Sequence, residues 1–225
     1  MAIMGPSGSG KTTLLHCLAG ITVPDSGQIT VTLPSGLAHV ESMSDGDRSR
    51  LRREAFGFVF QEGLLIPELT AAENVALPLL LNGVDRATAE RGAGEWLAAL
   101  GLAGFEGRRI GQLSGGQAQR VAIARAQITG AAIIFADEPT GALDSATSAE
   151  VMDVLLHTTT AQNRALIVVT HDADVAARCS RTVHLRDGRI VDDASTRAPS
   201  TPTPGTPTSG TSTPSTPTGE AEATR

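Results

Sequence analysis

The chain has 225 residues, of which 40% are hydrophobic and 19% are charged, and its formal charge is -6 at neutral pH. This composition is typical of one globular domain, and the acidic balance argues against the basic stripe of a nucleic-acid-binding protein. No apolar run approaches the roughly 20 residues that span a bilayer, and the first residues lack the layout of a signal peptide. With only two cysteines and no disulfide framework, we expect a cytosolic protein.

The first element along the chain is a short apolar run at 2–4, which we interpret as a strand, followed by a glycine-rich loop. The loop sequence GPSGSGKT fits the pattern G-x-x-x-x-G-K-[ST], in which glycines let backbone amides surround a phosphate. The next stretch, TTLLHCLAG, has a helical pattern, and a helix N-terminus attracts anions. We therefore predict a nucleotide phosphate site made of Gly5, Pro6, Ser7, Gly8, Ser9, Gly10, Lys11, Thr12 and Thr13.

Lys11 is the only lysine of the chain, and every other basic residue except histidine is arginine. A lysine ammonium is a compact point charge, which the broad guanidinium plane of arginine does not reproduce inside a tight loop. We expect Lys11 to contact the β- and γ-phosphates of the nucleotide and the Thr12 hydroxyl to contact Mg²⁺. A flexible Gly/Ser turn is the alternative, but the strand before the loop and the helix after it disfavour that interpretation.

Four further apolar runs predict strands, and they lie at 57–60, 131–136, 165–170 and 181–185. They are brief, apolar throughout and separated by helical stretches, which is typical of a mainly parallel sheet covered on both faces. The run from 131 to 170 predicts strand, helix at about 145–160, and strand, with a right-handed crossover. Between 64 and 109 the pattern is helical, so we predict an inserted helical subdomain at about 64–130 in an α/β fold.

Two predicted strands end in residues that can serve phosphate chemistry. The apolar run AAIIFA is followed by Asp137 and Glu138, and ALIVVT is followed by His171. Neighbouring strand ends lie about 5 Å apart, so these side chains are expected at one edge of the sheet. Asp137 suits a Mg²⁺ contact, and Glu138 could act as general base toward a water molecule. An ordinary acidic strand end remains the alternative.

A second candidate anion site lies in QLSGGQAQRVAIARA at 112–126, where a glycine pair precedes an alanine-rich helix. Ser114 is also a good helix cap, so a plain capped helix is the alternative. In chain order, the motifs are the phosphate loop, Gln61 after GFVF, LSGGQ, the acidic strand end, GALD and His171. With these motifs, the sequence resembles the nucleotide-binding subunit of ABC transporters. The resemblance runs from Met1 to about Asp192, and it implies a P-loop NTPase fold.

The resemblance implies that each ATP lies between the phosphate loop of one subunit and the LSGGQ segment of a second, in a head-to-tail homodimer or a pair of ATP-binding subunits. The residues implied on the second side are Ser114, Gly115, Gly116, Gln117 and Asp144. The implied catalytic residues are Glu138, His171 and Gln61. The implied Mg²⁺ ligands are Thr12, Gln61 and Asp137.

Within that family the segments LTAAENVALPLLL, FADEPTGALDS and LRDGRIV look like the subgroup that serves lipoprotein release and macrolide export. Such subunits power a separate membrane permease from the inner face of the cell membrane. The apolar stretch at 74–81 and Gln61 would then meet a cytoplasmic helix of the permease, although most of these leucines are expected in the subdomain core. A soluble ABC ATPase without a transport role and a catalytically silent module are the alternatives.

Two departures from the family pattern lie at the ends of the chain. Only four residues precede Gly5, so the antiparallel strands and the adenine-stacking aromatic residue expected before the loop are missing. We expect a misassigned start, and a shortened subunit is the alternative. From Ser195 onward the Ser/Thr/Pro-rich composition predicts a disordered tail at 195–225 after a domain at 1–194, with a glycosylated stalk as the alternative.

Overall fold

The computed structural model describes residues 1–33 and 36–195, which form an α/β fold around a six-stranded sheet. Four of the five neighbouring strand pairs are parallel and the last pair is antiparallel. In spatial order the strands are β4 (Phe56–Phe60), β5 (Ile133–Asp137), β6 (Ala165–Val169), β1 (Ala2–Met4), β7 (Arg181–Arg186) and β8 (Arg189–Ser195). A separate antiparallel hairpin pairs β2 (Thr30–Leu33) with β3 (Gly36–His39). The predicted fold class is therefore confirmed.

The helices connect these strands and cover the sheet. Within the described residues they are α1 (Lys11–Leu18), α2 (Asp45–Glu54), α3 (Ala71–Leu81), α4 (Arg86–Ala99), α5 (Gly115–Gln127), α6 (Ser145–Ala161) and α7 (Ala173–Ala177). The segment predicted to be helical between 64 and 109 carries α3 and α4. Helix α5 packs against both of them and also against β4 and α6, so it joins the helical segment to the sheet.

The register of the parallel strands brings their carboxyl ends to one level. Phe60 of β4 pairs with Asp137 of β5, which in turn pairs with Val169 of β6. Strands β5 and β6 are joined through α6 and are neighbours, as the pattern at 131–170 predicts. Consequently the residues that follow these three strands emerge side by side at one edge of the sheet, where parallel α/β proteins bind ligands.

The apolar core has two parts, one on each face of the sheet, because successive side chains of a strand point to opposite faces. Ile134 and Ala136 of β5 pack in the cluster that contains Leu155 of α6. Phe135 packs in the other cluster, which contains Leu15 of α1. Burial on both faces explains why the parallel strands are apolar throughout rather than alternating.

The structure contains elements that the apolar runs did not predict, namely the β2–β3 hairpin, the polar helix α2 and the edge strand β8. Strand β8 is exposed along its whole length and has no apolar run. Its turn was nevertheless readable: Asp187 and Gly188 both have positive φ, of 49° and 73°, and they connect the paired residues Arg186 and Arg189. An Asp-Gly pair is a strong signal for such a two-residue hairpin turn.

Two sequence-based expectations concern the membrane and the tail. No helix in residues 1–33 or 36–195 combines the length and the apolarity that a membrane span requires. The tail predicted at 195–225 lies outside the described residues, except for Ser195, which is the last residue of β8.

Candidate nucleotide-binding site

The glycine-rich loop connects β1 to α1 and opens into a cavity of about 310 Å³. Gly8 and Gly10 adopt positive φ values of 77° and 95°, which cost other residues steric strain. A Cβ atom on Gly5 would lie 2.2 Å from the carbonyl oxygen of Leu185, so this loop position needs glycine. The cavity is lined by Ser7, Gly8, Gly10, Lys11, Thr12, Thr13 and Glu138.

The Lys11 side chain folds back over the loop that precedes it. Its ammonium donates hydrogen bonds to the carbonyl oxygens of Gly5, at 2.9 Å, and Pro6, at 3.1 Å. The Ser9 hydroxyl is buried and has no hydrogen-bond partner among the described residues. The loop therefore presents one positive charge and a helix N-terminus to the cavity, which is the arrangement that binds phosphate groups.

Thr12 and Asp137 meet beside the cavity although they are 125 positions apart in the chain. The Thr12 hydroxyl donates to Asp137 Oδ1 at 3.3 Å. Burial at the end of β5 raises the pKa of Asp137 above its ordinary value, and the hydrogen bond from Thr12 opposes that shift. A hydroxyl and a carboxylate oxygen side by side are the donors that Mg²⁺ prefers, so the predicted pair fits such an ion.

Glu138 and His171 are in direct contact at the same edge of the sheet. His171 Nδ1 lies 2.9 Å and 3.0 Å from the two carboxylate oxygens of Glu138. The Glu138 backbone has a φ of 47°, which is unfavourable for a residue with a side chain. Its amide donates to the Val169 carbonyl at 2.9 Å and its carbonyl accepts from the Gly141 amide at 3.0 Å, so the surroundings hold this conformation.

Gln61 follows β4 and lies beside the turn that Glu138 begins. A Cβ atom on Gly141 would be only 3.1 Å from Gln61 Nε2, so the glutamine side chain packs on this glycine. Among the described residues, no hydrogen bond joins Gln61 to Thr12 or Asp137, the other two predicted Mg²⁺ ligands. The catalytic role of Gln61 and its role as a metal ligand both stay predictions.

The LSGGQ segment lies at the start of α5. The Ser114 hydroxyl accepts a hydrogen bond from the Gln117 amide at 3.3 Å, and Gln117 Oε1 accepts from the Ser114 amide at 2.9 Å. This reciprocal arrangement is a capping box. Ser114 and Gly115 are exposed, while Gly116 is buried against α6, where an added Cβ atom would meet Thr147 Cγ2 at 2.4 Å.

The packing of Gly116 was not foreseen, because the pattern of the sequence offered only an anion site or a helix cap. The same contact brings the N-terminus of α5 next to that of α6, which Asp144 caps through the Thr147 amide at 3.0 Å. These hydrogen bonds hold the pKa of Asp144 below its ordinary value. Asp144 and the LSGGQ residues thus form a second group, and none of them lines the phosphate cavity.

The two groups together, in this order along the chain, correspond to a known family. Residues 1–141 match the family described as ABC transporter. The chain belongs to the ABC transporter family. The fold, the family and the interpretation of the chain as an ATP-binding cassette, all expected from the sequence, are confirmed.

Several relatives and solved structures are similar to this cassette. The lipoprotein-releasing system ATP-binding protein LolD of Bordetella avium is 44% identical over 191 residues, which cover 85% of this chain and 81% of LolD. The pyoverdine export ATP-binding/permease protein PvdT of Pseudomonas fluorescens is 48% identical over 200 residues, or 89% of this chain. The macrolide export ATP-binding/permease protein MacB 1/2 of Paracoccus denitrificans is 46% identical over a similar range. The chain spans about 30% of the length of PvdT and MacB.

Among solved structures, the dimeric structure of MJ0796, a bacterial ABC transporter cassette, aligns with a TM-score of 0.78 at 39% identity and covers 88% of this chain and 85% of that one. A post-hydrolysis dimer of the same cassette, bound to ADP and Pi, aligns with a TM-score of 0.77. These names agree with the subgroup that the sequence indicates.

The cassette also has an apolar groove of about 610 Å³ between α2, β4 and α3. The stretch at 74–81 divides between core and groove: Asn74, Val75 and Ala76 are buried, whereas Leu81 is 63% exposed. The apolar groove walls include Ile21, Phe58, Phe60, Leu64, Leu77 and Leu81. Three arginines also line it, namely Arg52, Arg53 and Arg125. Across the part of the chain that the structure describes, none of the three forms an ion pair with a carboxylate within 4.0 Å.

Proposed function

We propose that this chain binds and hydrolyses ATP and that it powers a separate membrane permease of the lipoprotein-release or export type. The observation that carries the proposal is the convergence of Thr12, Asp137, Glu138 and His171 around the cavity of the phosphate loop. A simple phosphate-binding loop needs no acidic pair of this kind, whereas water attack on a γ-phosphate needs a base and a site for the metal.

Binding begins with the loop and Lys11. In the structure the Lys11 ammonium is held by the carbonyls of Gly5 and Pro6, so it is positioned over the cavity before ATP arrives. The amides at the start of α1 and this ammonium together stabilise the negative charge of the phosphates. Mg²⁺, held by Thr12 and Asp137, would neutralise charge that develops on the phosphate oxygens.

Glu138 serves as the general base, because its carboxylate lines the same cavity and its backbone is fixed on both sides. His171 contacts both carboxylate oxygens and is mostly exposed, so it can orient Glu138 while the ring remains accessible to ATP. A fixed base within reach of the attacking water lowers the barrier for proton removal.

The second group of residues acts, in this proposal, on the ATP of a second copy. Ser114 and Gly115 are exposed at a helix N-terminus and lie away from the cavity of their own chain. A head-to-tail dimer would place them and Asp144 against the nucleotide of the partner. The solved structure of MJ0796, a dimeric cassette, supports this arrangement.

The apolar groove is the surface that we assign to the permease, which would hold the chain at the inner face of the membrane. Its walls are apolar, and its three arginines lack carboxylate partners among the described residues. We infer that it receives an apolar helix of the permease that carries at least one acidic residue, because such a residue would compensate the positive charge of these arginines, of which Arg52 and Arg125 are half-buried.

Replacing Leu81 with aspartate tests the groove. The change should abolish co-purification with a co-expressed permease of the lipoprotein-release or export type and leave ATP binding intact. Leu37→Asp is the matched control, because Leu37 is similarly exposed, at 67% against 63%, but lies outside the groove. The assignment would be contradicted if both variants lost the permease equally, or if both still co-purified with it.

Replacing Glu138 with glutamine tests hydrolysis. The substitution removes the base and retains the shape, so ATP binding should persist while turnover falls by at least on the order of 100-fold. Steady-state phosphate release and equilibrium ATP binding measure the two effects. Glu95→Gln, on the exposed face of α4, is the control and should match the parent chain. Turnover that survives Glu138→Gln would disprove the proposal.

A further inference from the structure

The backbone on both sides of Gln61 is tied to helix α5. We call residues 60–64 the Gln61 turn. Gln119 Nε2 donates to the Phe60 carbonyl at 2.9 Å, before Gln61. The Arg125 guanidinium donates to the carbonyls of Gly63, at 2.6 Å, and Leu64, at 2.8 Å, after it. The helix that begins at LSGGQ therefore holds the Gln61 turn at three backbone oxygens.

These tethers are built from polar groups that are withdrawn from water. Gln119 is 3% exposed, and Arg125 is half-buried. Burial lowers the pKa of Arg125. In residues 1–33 and 36–195 no carboxylate lies within 4.0 Å of its guanidinium, so the carbonyls of Gly63 and Leu64 are its hydrogen-bond acceptors. Because a buried charge that loses its acceptors is costly, the position of the turn is strongly specified.

The turn itself is strained in a way that needs such support. Leu64 has a φ of 45°, in the left-handed region that is unfavourable for a residue with a side chain. Its carbonyl is one of the two that Arg125 holds. Strained conformations persist only where the surroundings over-determine them, and they concentrate at functional sites.

The geometry connects this tether to the catalytic edge by direct contacts. The Gln61 side chain packs on Gly141, and the Gly141 amide donates to the carbonyl of Glu138 at 3.0 Å. Arg125 also lines the apolar groove, as does Leu64. The Gln61 turn therefore links Arg125, which lines the groove, to Gly141, whose amide is hydrogen-bonded to the general base Glu138.

We propose that Arg125, with Gln119, is a positioning residue for ATP turnover that acts by holding Gln61 against the turn of the general base. The inference rests on the proposed function, because it assumes that Gln61 contributes to hydrolysis. It adds a residue that lies on α5, outside the phosphate cavity.

A double-mutant cycle between Arg125 and Gln61 tests the proposal in the full chain. Gln61→Ala and Arg125→Ala should each lower kcat on the order of tenfold, because a misplaced group loses its catalytic effect. The Kd for ATP should stay within about twofold, since neither residue lines the phosphate cavity. The double variant should be no slower than Gln61→Ala, because residues that act as one unit are not additive. Arg91→Ala, an exposed arginine of α4, is the control.

The inference would be overturned by a double variant slower by the product of the single effects, by an unchanged kcat in Arg125→Ala, or by a rise in the Kd for ATP without a fall in kcat. If Arg125→Ala does not fold, Arg125→Lys replaces it in the same cycle, since lysine keeps the charge but not the two-pronged donor. An unchanged kcat in Gln61→Ala overturns the inference alone, whereas full turnover in Glu138→Gln overturns the proposed function.

Discussion

Two helix N-termini of this chain carry small residues, and they are built in different ways. The cap of α1 is Gly10, which offers no side chain, so the first amides of the helix stay open to a ligand. The cap of α5 is Ser114, and a capping box with Gln117 already satisfies two amides at that end. The N-terminus of α1 therefore has free amides for a ligand of its own chain. The N-terminus of α5 is capped without a ligand, and its residues Ser114 and Gly115 are exposed.

The difference shows that glycines at the start of a helix can have two causes. In the phosphate loop, Gly8 and Gly10 have left-handed backbones that let the loop curl around an anion. In LSGGQ, Gly116 is needed because α6 lies too close for a Cβ atom. One sequence pattern thus encodes ligand geometry in the first case and helix packing in the second.

The largest expected effect concerns the open terminus. Lys11→Ala should raise the Kd for Mg-ATP on the order of 100-fold, because it removes a charged hydrogen-bond donor from the phosphates. Lys11→Arg should also weaken the binding of Mg-ATP, because the guanidinium is too broad for the loop. Isothermal titration with ATP measures both, and Arg91→Ala serves as the control. Native affinity in Lys11→Arg would show that charge alone suffices there.

Substitution at the N-terminus of α5 should instead change the stability of the fold. Gly116→Ala places a methyl group 2.4 Å from Thr147 Cγ2 and should cost about 1–3 kcal/mol of unfolding free energy. Thr147→Ser removes that Cγ2 atom but keeps the hydroxyl that donates to Asp144. The double variant should therefore recover most of the loss, as urea denaturation would show. Equal destabilisation with and without Thr147→Ser would mean that the close approach is not the cause.

The smallest expected effect is a difference in how Asp137, beside the phosphate loop, and Asp144, beside LSGGQ, make stability depend on pH. Burial raises the pKa of Asp137, so the ionised form disfavours the folded state, and the stability that its protonated form provides is lost as pH rises through the folded pKa. Hydrogen bonds lower the pKa of Asp144, so its contribution is present at neutral pH and is lost as pH falls. Without nucleotide, Asp137→Asn should slightly raise the melting temperature at pH 7, and Asp144→Ala should lower it. Both differences should shrink toward pH 3, and like signs would contradict this account.

Much of the candidate site could be predicted because parallel strands end at one level. Once Asp137, Glu138 and His171 were placed after strands, their proximity followed from the strand spacing. The tethers from Gln119 and Arg125 could not be predicted, because a glutamine and an arginine on a helix have no pattern that reveals a backbone acceptor about 60 positions away. Strand β8 was missed although its Asp-Gly turn was legible, because it has no apolar run.

The most direct test of the central claim, that one ATP lies between the phosphate loop of one chain and LSGGQ of another, is to count trapped ATP in mixed variants. All chains carry Glu138→Gln to prevent turnover; one also carries Lys11→Arg or Lys11→Ala, and the other Ser114→Arg. Each alone should retain no ATP through gel filtration, whereas the mixture should retain one ATP per pair of chains. A mixture that traps no more than its separate components would contradict the account.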